Sequence, residues 1–201
     1  MKSALLLSGG MDSIALAWWC RPDLAITIDY GQRPAAAEIT AATQVCQELD
    51  ILHVVLRIDA SSLGSGDLAG NDALPQAPAS DWWPYRNQLL ITLAGASALK
   101  HCCSRLIIGT VSTDATHLDG TARFVEHINA LMAYQEGALT VEAPALHLNT
   151  ADLVRESGVP ARLMAWAHSC HKANSPCSDC RGCYKHYEVL EALGGGLHAL
   201  P

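Results

Sequence analysis

Residues 3–13 consist of a short apolar run, two glycines and a polar turn: Ser3-Ala4-Leu5-Leu6-Leu7-Ser8-Gly9-Gly10-Met11-Asp12-Ser13. A short, uninterrupted apolar run is typical of a strand that is buried on both faces of a parallel sheet. Apolar side chains recur at helical spacing from Ser13 to Cys20, and Pro22 ends the predicted helix. Strand, glycine loop and helix in this order predict the first unit of an α/β fold.

Strands and helices alternate along the remainder of the chain. Further strands are predicted at residues 24–28, 53–58, 105–108 and 140–143. Helices are predicted at 35–49, 86–100, 122–135 and 183–193, with Thr150 as the N-cap of a short additional helix and Gly194 to Gly196 after the last one. The connection from 59 to 85 is rich in Ser, Gly, Asp and Pro, and a loop of this length is usually functional or mobile. We expect a doubly wound, open parallel sheet of Rossmann-like type, in a single domain spanning 1–201.

Composition excludes several classes of protein. The chain has 201 residues, of which 50% are hydrophobic and 16% charged, which excludes a disordered tail and a charged fibrous protein. The net charge of −7 provides no basic surface for a phosphate backbone, so we expect no nucleic-acid partner. No apolar stretch reaches the roughly 18 residues of a membrane span, and the first apolar run stops at Ser8, too early for a signal peptide. We therefore expect a cytoplasmic protein with no membrane partner.

Residues 8–13, the glycine loop, are suited to bind phosphate. Gly9 and Gly10 allow backbone N–H groups to approach an anion, the helix N-terminus adds positive charge, and Ser8 and Ser13 add hydroxyl donors. The loop has no lysine and matches neither G-x-x-x-x-G-K-[ST] nor G-x-G-x-x-G, which disfavours kinase-type and dinucleotide sites. An ordinary tight β–α turn is the alternative. The sequence S-G-G-x-D-S resembles the pyrophosphate loop of enzymes that cleave ATP between the α and β phosphates. This resemblance implies bound ATP and Mg²⁺, with Asp12 orienting the loop or holding the metal.

Four cysteines, the cysteine cluster, lie close together near the C-terminus: Cys170, Cys177, Cys180 and Cys183. Overlapping C-x-x-C hooks direct their sulfurs to one centre, and four thiolates complete a closed, tetrahedral structural Zn²⁺ site. An iron–sulfur cluster is the nearest alternative, followed by disulfides or free thiols. The flanking His168, His171 and His186 could serve as spare ligands or support the ligands, but four cysteines suffice, so we interpret these histidines as surface residues. Residues 166–193 would then form a zinc-binding helical appendage on an α/β core of residues 1–165.

The glycine loop and the cysteine cluster together resemble the 7-cyano-7-deazaguanine synthase (QueC) family. Asp29-Tyr30-Gly31-Gln32-Arg33, followed by Glu38, resembles the family's D-Y-G-Q-R…E stretch, and Tyr85-Arg86-Asn87 resembles its A-R-N. Gly109 and Asp114 fall where the family has a glycine after the fourth strand and a nearby aspartate. The resemblance spans about Leu5 to Tyr187, and it implies an ATP-binding, adenine nucleotide alpha hydrolase-like fold and a homodimer.

The family resemblance implies an ATP-dependent C–N ligase of queuosine biosynthesis. In the family, 7-carboxy-7-deazaguanine is adenylated with release of pyrophosphate, ammonia converts the adenylate to the amide, and a second activation dehydrates the amide to the nitrile. The implied ATP-binding residues are Ser8, Gly9, Gly10, Asp12, Ser13, Asp29 and Gly109. The implied catalytic residues are Asp12, Arg33, Arg86 and Asp114, and the implied substrate-binding residues are Tyr30, Gln32, Asn87 and Arg123. The guanidinium groups of Arg33 and Arg86 suit bidentate contacts with phosphate or carboxylate, and surface salt bridges are the alternative.

Several residues depart from the family pattern. Pro34 replaces the histidine that commonly follows G-Q-R, residues 117–121 replace a Y-P-D-C-R segment, and Ser178 stands where glycine is usual. A divergent branch that resembles this family occurs in antiphage operons, including a cyclic-oligonucleotide signalling type, and can join the activated deazaguanine to a protein amine. The aromatic residues at 82–85 suit either docking of such a protein acceptor or a lid that packs on its own domain. Two further hypotheses are a tRNA-thiolating enzyme with the same loop and a non-catalytic nucleotide-binding zinc module.

Overall fold

The computed structural model describes residues 1–194. Five strands form one sheet: β1 (Ser3–Leu6), β2 (Leu24–Asp29), β3 (Leu52–Arg57), β4 (Arg105–Ile107) and β5 (Thr140–Glu142). All neighbouring strands are parallel, and their order is β3-β2-β1-β4-β5. β1 lies in the middle, where Leu5 pairs with Ala25 of β2 and with Ile107 of β4. The predicted doubly wound parallel sheet is confirmed.

Helices connect the strands. Within residues 1–194 they are α1 (Met11–Cys20), α2 (Ala35–Leu49), α3 (Gly66–Ala69), α4 (Arg86–Lys100), α5 (Ala122–Tyr134), α6 (Thr150–Ser157), α7 (Ala161–Met164) and α8 (Arg181–Ala192). The prediction of Thr150 as the N-cap of α6 is wrong, because the Asn149 side chain accepts the hydrogen bond from the backbone N–H of Asp152 at 2.9 Å. Gly195 and Gly196, which we expected to follow the last helix, lie outside the described residues. None of these helices combines the length and the apolar character needed to cross a lipid bilayer.

Apolar side chains fill both faces of the sheet. Leu5 and Leu7 pack with α1, α2, α6, α7 and α8 on one face, whereas Ala4 and Leu6 pack with α4 and α5 on the other. Successive side chains of a strand alternate between the faces, so β1 is buried on both sides, as its apolar run predicts. Complete burial of a leucine contributes about 1.5–3 kcal/mol, and this packing holds the glycine loop at the end of the central strand.

Residues 59–85 pack onto their own domain. They contain a 3₁₀ turn at Ser61–Leu63 and the short helix α3. Trp83 is only 2% exposed, and its ring lies 5.0 Å from that of Tyr30 in an edge-to-face arrangement. Tyr85, by contrast, is 79% exposed. The segment is therefore anchored by Trp83, and Tyr85 is the aromatic residue it presents to solvent.

Candidate functional site

A cavity of about 970 Å³, the central cavity, opens at the carboxyl ends of β1 and β4. Open α/β sheets bind ligands where the strand order reverses, and in this order the reversal lies between β1 and β4. The glycine loop, the segment after β4, and parts of α4 and α8 line the cavity. Its lining includes nine of the residues predicted from the sequence: Ser8, Gly10, Asp12, Ser13, Tyr30, Arg86, Asn87, Gly109 and Asp114.

The glycine loop has a fixed conformation that requires a glycine at one position. Gly9 has a φ of +80°, and a Cβ atom there would lie 2.6 Å from the backbone oxygen of Glu38 in α2. At Gly10 the nearest neighbour of a Cβ atom would be Ser8 Oγ at 3.5 Å, an ordinary contact. The Ser13 hydroxyl donates to the Gly10 carbonyl at 3.0 Å and lies 3.2 Å from Ser8 Oγ. The loop leads directly into α1. It therefore places the hydroxyl groups of Ser8 and Ser13 and the N-terminus of α1 at the wall of the central cavity.

The substitution Gly9→Ala is expected to lower the free energy of unfolding by at least about 2 kcal/mol. A left-handed backbone costs an L-residue about 1–2 kcal/mol, and the added methyl group would collide with the backbone of α2. Gly10→Ala is the matched control and is expected to cost less than about 1 kcal/mol. Urea unfolding of both variants measures the difference. Equal losses would show that the backbone conformation of Gly9 is not the cause.

Lys185 links the two acidic residues that were predicted to be catalytic. Its Nζ atom donates to Asp12 Oδ2 and to Asp114 Oδ1, each at 3.1 Å. Burial raises the pKa of Asp12, and Lys185 moderates that rise. Burial alone would lower the pKa of Lys185, but the two carboxylates outweigh it and hold that pKa above its usual range. Lys185 belongs to no motif that we identified, and only the fold brings it to Asp12 from a distant part of the chain.

Tyr30, Glu38 and Arg86 form a second charged group in the central cavity. Burial raises the pKa of Glu38 to about 7, although a hydrogen bond from Gln32 Nε2 at 2.7 Å favours the charged carboxylate. Burial would lower the pKa of Arg86, but the Tyr30 hydroxyl and the neighbouring carboxylates raise it overall. Asn87 lies beside this group, and its backbone N–H and Nδ2 contact Asp119 at 3.4 Å. The group offers both a cation and a titratable carboxyl to a ligand.

The substitution Glu38→Gln is expected to remove part of the pH dependence of stability. The folded-state pKa of about 7 lies above the ordinary value of 4.5, so the folded protein retains a proton that the unfolded chain releases between these values. This group therefore makes the wild type less stable as the pH rises through that interval. One pKa unit corresponds to about 1.4 kcal/mol. Between about pH 5 and about pH 8, the free energy of unfolding of the variant should therefore rise by about 1–3 kcal/mol relative to that of the wild type. Urea unfolding at both pH values measures this gain, and a constant difference would contradict the assignment.

Besides Gly9, four of the predicted residues lie outside the lining of the central cavity. Asp29, Gln32 and Arg33 line a neighbouring pocket of about 550 Å³. Gln32 is buried and donates to Glu38, whereas the exposed Arg33 side chain lies against Gly70. Arg123 is also exposed, and its Nε donates to His127 Nε2 at 3.3 Å. The structure thus brings the glycine loop, Arg86 and Asp114 together and places Arg33 and Arg123 apart from them.

Asp81 joins three segments at the central cavity. This carboxylate, 8% exposed, lies 3.2 Å from His117 Nε2, 3.5 Å from His171 Nδ1 and 3.1 Å from an Arg181 nitrogen. The contacts connect the 59–85 segment with His117 after β4 and with two residues that adjoin cysteines of the cluster, His171 and Arg181. An aspartate isolated within a polar loop gives no sequence signal for such a role.

The interpretation of the three flanking histidines as surface residues is wrong. His168, His171 and His186 are all partly buried and line the central cavity. Burial lowers the pKa of each imidazole, that of His171 to about 4. The chain segment around the cysteine cluster therefore forms one wall of the cavity, which is why its side chains are shielded from solvent.

The cysteine cluster fits a single zinc ion. All four Sγ atoms lie within 4.8 Å of one another, and those of Cys177 and Cys183 are 3.9 Å apart. A tetrahedral site with Zn–S bonds of about 2.3 Å places its sulfurs about 3.8 Å apart. A multinuclear iron–sulfur cluster would place several metal atoms between the thiolates and separate them further. Cys180 also caps α8, because its sulfur accepts from the backbone N–H of Cys183 at 3.4 Å.

The departure at Ser178 has a local consequence. Ser178 has a φ of +57°, in the left-handed region that glycine adopts without strain. The usual glycine is therefore explained by the turn between the second and third cysteines, and serine adopts the same conformation at a cost of about 1–2 kcal/mol. The turn itself is retained.

Comparison of the sequence with known protein families is consistent with these features. The profile of the family described as "Queuosine biosynthesis protein QueC" matches residues 2–194. The chain belongs to the QueC family. The match contains both the glycine loop and the cysteine cluster, so the resemblance inferred from these motifs is confirmed.

Relatives match this QueC-family chain over nearly its whole length, and a solved structure shares its fold. A 7-cyano-7-deazaguanine synthase from Methanosarcina barkeri is 28% identical, over 96% of this chain and 95% of the relative. One from Desulforudis audaxviator is 29% identical, over 97% and 99% of the two chains. The solved structure of NMN synthetase from Francisella tularensis is 14% identical and superimposes with a TM-score of 0.53, covering 99% of this chain and 82% of that one. This likeness shows the adenine nucleotide alpha hydrolase-like fold.

Proposed function

We propose that this QueC-family protein is an ATP-dependent C–N ligase that activates 7-carboxy-7-deazaguanine, or a close deazapurine carboxylic acid, by adenylation. The observation that carries the proposal is the glycine loop, with its Asp12, beside Asp114 in the central cavity. Relatives that align over nearly the whole chain are named 7-cyano-7-deazaguanine synthase. Backbone N–H groups and a helix N-terminus at a sheet switch point suit the phosphates of ATP.

Asp12 and Asp114 are the residues suited to hold Mg²⁺. Asp12 Oδ1 and the neighbouring hydroxyl of Thr150 are buried, and within residues 1–194 neither makes a hydrogen bond of ordinary geometry, although the Thr150 hydroxyl lowers the pKa of Asp12. Carboxylate oxygen is a preferred ligand of Mg²⁺, and a buried oxygen without a partner is ready to accept one. When bound, Mg²⁺ would supply charge neutralisation for the departing pyrophosphate.

The second charged group would bind the acid substrate. Arg86 can pair with the substrate carboxylate, and Tyr30 and Asn87 border the same space. A carboxylate oxygen of the substrate bonds to the α-phosphorus of ATP, and the bond from that phosphorus to pyrophosphate breaks. Ammonia then bonds to the acyl carbon, loses a proton, and displaces AMP to give the amide. A second ATP adenylates the amide oxygen with release of another pyrophosphate, and loss of AMP and of the two amide protons leaves the nitrile, 7-cyano-7-deazaguanine.

The proposal is tested by supplying the purified protein with 7-carboxy-7-deazaguanine, ATP and Mg²⁺. AMP and pyrophosphate should form in equal amounts, and mass spectrometry with ammonia present should detect the amide and the nitrile. Omission of the acid is the control, because ATP cleavage without it would indicate a different substrate. Absence of AMP and pyrophosphate, with and without ammonia, would refute the proposed function.

A protein amine is the second candidate acceptor, and one observation favours it. Tyr85 and Leu118 are 79% and 86% exposed, and each adjoins a residue that lines the central cavity, Arg86 and Asp119 respectively. Exposed apolar side chains beside a site can bind a partner. If a protein is the acceptor, mass spectrometry should find the deazaguanine acyl group on an amine of an added partner protein, with ammonia absent. Size-exclusion chromatography of the same sample tests the implied homodimer.

A further inference from the structure

The glycine loop carries no basic residue of its own, although pyrophosphate is a highly charged leaving group. Three lysine or arginine side chains within residues 1–194 line the central cavity: Arg86, Arg181 and Lys185. Arg86 lies beside Tyr30 and Glu38, and Arg181 is paired with Asp81. Lys185 is the one that contacts the glycine loop, through Asp12.

Lys185 retains capacity for a further bond. An ammonium group has three N–H donors, and the structure assigns two of them, to Asp12 and Asp114. Its side chain is 38% exposed and forms part of the cavity lining. Two carboxylates and one ammonium together carry one net negative charge. With one Mg²⁺ bound, Asp12, Asp114, Lys185 and the metal would carry a net charge of +1. The two carboxylates and Mg²⁺ without the lysine would be neutral.

The cysteine cluster determines where Lys185 lies. Lys185 follows Cys183 by two residues in the first turns of α8, and Cys180 caps that helix. The helix also packs on α6, and Val189 enters the apolar core. A metal at the cluster would therefore fix the start of α8 and the direction from which Lys185 reaches Asp12.

We propose that Lys185 is the residue that binds the β and γ phosphates of ATP and stabilises the departing pyrophosphate. Helix α8, anchored by the metal at the cysteine cluster, positions Lys185 at the glycine loop. This inference rests on the proposed function. A lysine from the end of the chain thereby does for this loop what a lysine within the loop does in kinase-type phosphate sites. Lys185 donates its third N–H to a phosphate oxygen and keeps its contacts with the carboxylates that hold it in place.

The test compares Lys185→Met with Lys185→Arg and with Lys100→Met, an exposed control on α4 that removes the same charge. Isothermal titration calorimetry measures binding of α,β-methylene-ATP, which cannot be cleaved between those phosphates, and of AMP, both with saturating Mg²⁺. Lys185→Met should weaken binding of the ATP analogue about 10- to 100-fold and leave AMP binding unchanged within about two-fold. Lys185→Arg should recover most of the affinity, and Lys100→Met should match the wild type.

The outcomes separate the inference from the proposed function. If the wild type binds no ATP analogue, the proposed function itself is contradicted. If the wild type binds it and Lys185→Met binds it equally well, Lys185 does not contact the phosphates. A parallel loss of AMP and analogue binding would show that Lys185 only maintains the structure. Should Lys185→Met lose its metal or unfold, the same two affinities of Lys185→Gln and Lys185→Arg decide the question.

Discussion

Cys180→Ser is expected to abolish metal binding and to lower the free energy of unfolding by at least about 4 kcal/mol. Zinc binding at structural sites is worth about 10–16 kcal/mol in isolated peptides, and this energy is available only to the folded state. Cys180 has two functions in the structure, because it belongs to the four converging thiolates and also caps α8. Metal analysis should find about one zinc per wild-type chain and much less than that in the variant.

Cys102→Ser is the matched control for this prediction. Cys102 is an exposed cysteine outside the cysteine cluster, so the same chemical change should leave zinc content and the urea unfolding midpoint unaltered. We expect Cys180→Ser to destabilise the protein and not merely to lower its activity, because the cysteine cluster fixes the start of α8 and one wall of the central cavity. Iron and visible colour in the pure wild type would overturn the zinc assignment.

The fold could be predicted from the sequence because its elements are locally encoded. The bounds of α2 and α4 agree with the predicted ones, since apolar side chains recur at helical spacing along each of them. The glycine loop and the cysteine cluster were equally predictable, because each concentrates its chemistry within a few consecutive residues. The error at Asn149 is of the same local kind, because two adjacent residues can both cap a helix and only the backbone conformation distinguishes them.

The remainder of the site depends on contacts between distant segments. Lys185 and Asp12 are 173 positions apart, and Asp81 and Arg181 are 100 apart, so no spacing rule connects either pair. Adjacent residues of the 29–33 motif also have different environments: Gln32 is buried against Glu38, whereas Arg33 is exposed. The motif indicated the region, and only the packing shows which of its side chains enters the central cavity.

Asp12→Asn is expected to reduce the rate of adenylation about 10²- to 10³-fold, with little effect on stability. The substitution keeps the size of the side chain and removes a negative charge from the position suited to Mg²⁺, and losses of this size follow removal of one group that stabilises developing charge. Because burial already disfavours the Asp12 carboxylate, we expect the free energy of unfolding to stay within about 1 kcal/mol of the wild type. AMP formation with saturating substrates measures the rate.

Asp50→Asn, an exposed change at the end of α2, is the control and should match the wild type. A double variant distinguishes two roles of Asp12, because Oδ2 contacts Lys185 whereas Oδ1 has no partner within the described residues. If Asp12 served only to position Lys185, Asp12→Asn combined with Lys185→Met would be no slower than the slower single variant. If Oδ1 holds Mg²⁺, the double variant should be slower than either. An Asp12→Asn protein with full adenylation activity would remove Asp12 from the mechanism, and the proposed Mg²⁺ site with it.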